Sequence, residues 1–119
     1  MISEKINHLL TKYEKEFSSN ASQVFSCGGR FEILGNHTDH NHGLCLASAC
    51  NLVIEAAVDK TNEKVVSFKS LGYELDEVDL SDLEPRDSEY ATSKGLIRGV
   101  AAYLKEHGYK IGGFKAYSE

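Results

Sequence analysis

Between Gly35 and Gly43 the chain reads GNHTDHNHG, a run without one apolar side chain, while the stretches on either side are rich in β-branched, aromatic and aliphatic residues. Residues of that kind have nothing to add to a core, so the run must be a surface loop between strands. Before it stand Val24-Phe25-Ser26-Cys27 and Arg30-Phe31-Glu32-Ile33-Leu34, separated by Gly28-Gly29. They read as two short strands, or as one strand with a glycine break where backbone comes close to something. After it, Leu44 to Val58 is the most apolar stretch of the chain. It is too continuous for a half-exposed strand, and a buried strand, a tight bend near residues 48–51 and a second strand from Leu52 to Val58 fit it best.

The flanks complete the pattern. Ile2, Ile6, Leu9, Leu10, Tyr13 and Phe17 recur at three- and four-residue spacings with Lys5, Lys12, Glu14 and Lys15 between them, which predicts an amphipathic helix. Residues 64–69 and 73–80 alternate as strands around turns at 60–63 and 70–72, an antiparallel meander. An acidic stretch, residues 81–88, holds the only proline and reads as a loop. Tyr90, Leu96, Ile97, Val100, Tyr103 and Leu104 predict a second helix over 89–106, with Gly108 as the residue that ends it. Gly95 and Gly99 lower its helix propensity and point to close packing against a neighbour. Residues 113–117 resemble a final strand, whose position predicts an open sheet edge near Phe114 and self-association through it. Helix, strands, helix, strand in that order is an α+β domain with a mixed or antiparallel sheet and two main helices.

With 119 residues there is room for one domain or one half of a larger one. Thirteen Lys and Arg against 18 Asp and Glu leave a net charge of −5, which argues against a nucleic-acid partner. No apolar run has the length of a membrane span and the first residues lack a signal-peptide core, so no membrane partner and a cytoplasmic location are expected. Cys27, Cys45 and Cys50 form no C-x-x-C pair and are expected to be reduced, with Cys45 and Cys50 buried in the apolar stretch.

Chemistry concentrates from Gly29 to Gly43. Carboxylates, amides and imidazoles of the kind found in Asn36, His37 and Asp39 suit a sugar, whose hydroxyls each donate and accept. Arg30 suits a phosphate or a developing negative charge. Three other readings stand beside this one. The segment could be a solvated loop with glycine turns. It could be a metal site built on His37, His40, His42 and Asp39, but the spacing matches no structural zinc pattern, and no resident metal is expected. Cys27 could act as a nucleophile, although a lone thiol in an apolar strand is more often packing than catalyst. Neither G-x-x-x-x-G-K-[ST] nor G-x-G-x-x-G occurs.

The segment Gly29-Arg30-Phe31-Glu32-Ile33-Leu34-Gly35-Asn36-His37-Thr38-Asp39-His40-Asn41-His42-Gly43 resembles the N-terminal signature of galactokinases, approximately G-R-x-N-[hydrophobic]-I-G-E-H-x-D-Y-N-x-G. These enzymes sit among the galacto-, homoserine, mevalonate and phosphomevalonate (GHMP) kinases. The resemblance implies that residues 1–119 are the N-terminal part of a GHMP-kinase-type domain, of the ribosomal S5 domain 2-like fold. It implies a galactokinase-type sugar kinase that phosphorylates galactose or a related hexose at the anomeric hydroxyl with ATP and magnesium. In that reading Arg30 is catalytic, stabilising charge beside the transferred phosphoryl group, and Asn36, His37 and Asp39 bind the sugar. Nothing in the chain resembles the family's Gly/Ser-rich ATP loop or its following aspartate, so no residue here is assigned to ATP and the chain alone is expected to be inactive. Asn36 stands where the signature has Glu, Glu32 where it has Asn, and His40 where it has Tyr. Those departures keep a second reading open, a non-catalytic sugar-binding sensor or regulator.

Overall fold

The computed structural model describes residues 2–35 and 41–119. Its elements are helix α1 (Ile2–Phe17), strands β1 (Gln23–Leu34), β2 (Leu46–Lys60), β3 (Val65–Ser70) and β4 (Leu75–Asp79), helix α2 (Ser93–Glu106) and strand β5 (Phe114–Ser118). The helical periodicity at the N-terminus is realised. Leu9 and Tyr13 are fully buried against Ala57 and Tyr117, with Leu10, Phe17 and Ala21 around them. Each such side chain contributes about 1.5–3 kcal/mol by leaving water. The Phe17 ring stacks at a tilt on Tyr13 and lies under the Lys115 ammonium, 5.9 Å from its centroid.

The sheet is five-stranded and mixed, in the order β1-β2-β5-β3-β4. β1 with β2, β2 with β5 and β3 with β4 are antiparallel, whereas β3 and β5 are parallel. Two sequence expectations are corrected by this order. The meander is interrupted, because β2 and β3 are not neighbours, and the last strand is central rather than an edge. Phe114 pairs with Lys60 on one side and Val66 on the other, so the open edges among the described residues are β1 and β4. The local cause is Gly113. A Cβ there would collide with the carbonyls of Glu63 and Val65, so only glycine lets β5 enter between the diverging strands. Three consecutive β5 residues, Ala116, Tyr117 and Ser118, are buried, as a strand covered on both faces requires.

The helices lie on opposite faces of the sheet. Tyr117 meets α1, while Phe114 of the same strand packs with Val66, Val78 and Leu80 beneath Ile97 and Ala101 of α2. α2 starts at Ser93 rather than at Glu89, because residues 87–89 form a one-turn 3-10 helix and Ala91 takes φ 56°. The Thr92 hydroxyl then caps α2, accepting from Gly95 N at 3.2 Å. The expected ending is observed: Gly108 has φ 79° and follows the C-cap His107. The apolar positions of α2 split, with Ile97 and Ala101 inward and Leu96, Val100 and Tyr103 exposed.

Candidate functional site

β1 and β2 form one long hairpin whose far half extends beyond both helices. The Gly28-Gly29 break falls within a single strand, the second of the two sequence alternatives. A Cβ on Gly29 would stand 3.0 Å from Cys50 Sγ and 3.3 Å from the Leu52 carbonyl. The tight bend expected at residues 48–51 is instead a bulge in a continuous β2. Gly28 pairs with Val53 and Arg30 with Ala49, so Cys50, Asn51 and Leu52 face the single residue Gly29. The expectation of a buried β2 is corrected as well: Leu52 is 73% exposed and Ile54 63%. The run is apolar, but no described element covers it here. Cys45 is exposed and Cys50 only half-buried, and all three thiols are free, as expected.

Beyond the bulge the hairpin narrows to a neck. Gly35 has φ 95°, and a Cβ on it would collide with the Leu44 carbonyl and with Cys45. Glycine is therefore required both for the backbone angle and for the approach of the two chain segments that open the polar loop. At the far side of that loop His42 holds φ 55° and is exposed. Asn36, His37, Asp39 and His40 lie outside the described residues, so the neck and its flanks define what the structure shows of the site.

Arg30 lies within β1, opposite Ala49, and is exposed. No described residue accepts a hydrogen bond from its guanidinium or pairs with it, which leaves five N–H donors on offer to a ligand. The structure brings Arg30 to the base of the hairpin tip that carries the polar loop. Among the described residues no group of three or more His, Cys, Asp or Glu could hold a metal ion. No helix among them is long and apolar enough to cross a membrane.

A concavity of about 710 Å³ lies elsewhere, on the α2 face of the sheet. Phe25, Ala56, Val58, Phe68, Phe114 and Ala116 give it an apolar floor, which offers a polyhydroxylated ligand few partners. The sequence reading also missed a polar cluster around Arg98, which is 3% exposed. Its Nε and Nη2 donate to the two Glu89 carboxylate oxygens at 2.7 and 2.9 Å, and Nη1 donates to the carbonyls of Asp79 and Asp82. Arg86 donates to Asp82 at 2.7 Å. The hydrogen bond from Arg98 holds the Glu89 carboxyl below its ordinary range, and that from Arg86 does the same for Asp82. The one signal that could have revealed this cluster is Arg98 itself, lying beside the inward-facing Ile97. It ties the end of β4 and the acidic loop to α2 and has the character of structural bracing.

This α+β fold is shared with solved kinases of the GHMP group. It superposes on mevalonate kinase from Methanococcus jannaschii with a TM-score of 0.58, at 12% identity, over 82% of this chain and 32% of that one. Within that class the likeness is to galactokinases. The crystal structure of Lactococcus lactis galactokinase complexed with galactose matches with a TM-score of 0.78 at 24% identity, over 95% of this chain and 30% of the other. Residues 11–60 match the galactokinase galactose-binding signature. The galactokinase of Limosilactobacillus reuteri strain DSM 20016 is 27% identical over 115 residues, 91% of this chain but 29% of its own length. The chain thus spans less than a third of the relatives it resembles.

Proposed function

We propose that this chain is the N-terminal sugar-binding part of an ATP-dependent kinase that transfers the γ-phosphoryl group of ATP to the anomeric hydroxyl of galactose or a related hexose. The observation that carries this reading is the exposed Arg30, engaged by no described residue, at the base of a glycine-necked hairpin tip within a segment that matches a galactose-binding signature. Phosphoryl transfer asks a protein mainly for positioning and for stabilisation of charge. Arg30 supplies the charge: its guanidinium donates to the transferring phosphoryl oxygens and favours ionisation of the attacking hydroxyl. His37 and Asp39 hold the sugar hydroxyls, with Asn36 as a further amide contact. ATP and magnesium are bound by parts of the protein outside residues 1–119, so this chain alone does not turn over ATP.

The test is turnover by the full-length product of the source gene, with ATP and a panel of galactose and related hexoses. Phosphorylation of one hexose at its anomeric position is the expected result. Sugar binding without turnover would replace the kinase by a sugar-binding regulator, the reading that Glu32 and Asn36 favour because both depart from the signature.

A further inference from the structure

Glu32 follows Arg30 by two positions in β1, so the two side chains rise from the same face of the strand, with Cα atoms about 7 Å apart. The residues opposite them on β2 are Ala47 and Ala49, which put nothing larger than a methyl group beside either. Both charged residues are exposed, and neither side chain is engaged by the other or by any described residue. Two opposite charges within reach of each other that remain apart, above a floor of methyl groups, leave an acceptor and a donor facing a common space. From this we propose that Glu32 is a ligand-contacting residue that forms, with Arg30, a two-point clamp for adjacent hydroxyls of a sugar. One hydroxyl donates to the Glu32 carboxylate, and the oxygen of its neighbour accepts from the Arg30 guanidinium. The spacing suits a ligand bearing hydroxyls on successive carbons, and a carboxylate is the stronger acceptor for a hydroxyl than an amide would be. The inference rests on the sugar-binding reading of the site and adds to it the residue that selects one hydroxyl.

The experiment is calorimetric titration of the full-length protein and its Glu32→Gln variant, with the preferred hexose and its set of monodeoxy analogues. Glu32→Gln should weaken binding of the parent sugar about 10-fold while leaving one deoxy analogue bound as by the wild type, because that analogue lacks the hydroxyl Glu32 accepts from. An unchanged unfolding midpoint, expected for an exposed side chain without contacts, excludes a folding effect. Equal affinity of the two proteins for the parent sugar overturns the inference, as does a penalty of the same size for every analogue. A wild type that binds sugar without phosphorylating it ends the kinase reading alone, and the titrations still decide Glu32. A wild type that binds no sugar overturns both.

Discussion

The β1–β2 hairpin and the Arg98 brace each hold an arginine, and they use it in opposite ways. Arg98 is buried, and its donors go to a carboxylate and two backbone carbonyls of its own chain. Arg30 is exposed on a strand whose neighbours are glycine, alanine and a bulge, and its donors meet no described residue. A guanidinium taken out of water must be paired within the protein, because leaving it unpaired there is costly. One left unpaired at the surface costs nothing in folding and is available for a ligand. The difference separates a residue that holds the fold from one that no described residue engages, as the proposed role of Arg30 requires.

Substitutions at the two arginines should therefore fail in different assays. In the full-length protein, Arg30→Ala should lower kcat by about 100-fold or more, the scale of a lost charge-stabilising donor, with the unfolding midpoint unchanged. A fall in midpoint instead would make Arg30 a structural residue. Arg98→Met should do the reverse: the midpoint falls by roughly 10 °C, because Glu89 and two carbonyls lose their partner in a mostly buried site. The pH dependence follows from the same contacts. Glu89 and Asp82 hold protons more weakly in the folded chain than in the unfolded one. Their contribution is full above the ordinary carboxylate range and is lost as the pH falls through that range towards the lower folded values. Arg98→Met should remove the Glu89 share of this acid limb and leave the Asp82 share that Arg86 sustains, and acid unfolding profiles of the two proteins measure it.

A smaller contrast lies within α2. A Cβ on Gly95 would collide with the Glu89 carbonyl, whereas one on Gly99 meets nothing within 4 Å. Gly95→Ala should cost about 2 kcal/mol. Gly99→Ala should stabilise by about 0.5–1 kcal/mol through better helix propensity. Denaturant midpoints check both, and equal effects would mean that the approach of Glu89 to Gly95 does not constrain the helix.

The elements legible in the sequence are those governed by local rules. α1 follows its apolar spacing, and the end of α2 follows Gly108. What was not legible depends on partners distant in the chain. Nothing in residues 113–118 says that the strand inserts between two earlier ones, since that is decided by Gly113 meeting Glu63 and Val65. The apolar run of β2 reads as buried, although only its Ala57 end lies under α1. Leu96, Val100 and Ile97 share a helical spacing, yet only Ile97 reaches the sheet, and Arg98 beside it is the buried one. At the site, the residue types and the signature were readable, and Arg30 is exposed as a ligand contact must be. The bulge opposite Gly29 that shapes its surroundings was not readable, because it arises from the mismatch between two strands rather than from either one.

The central proposal is that the segment following Gly35, with Asp39 in it, binds a sugar. Its most direct test is the galactose dissociation constant of the full-length protein and of Asp39→Ala, measured alongside their unfolding midpoints. The account predicts an affinity loss of about 30-fold or more with the midpoint unchanged. Unchanged affinity, or a collapse of the midpoint, would contradict it.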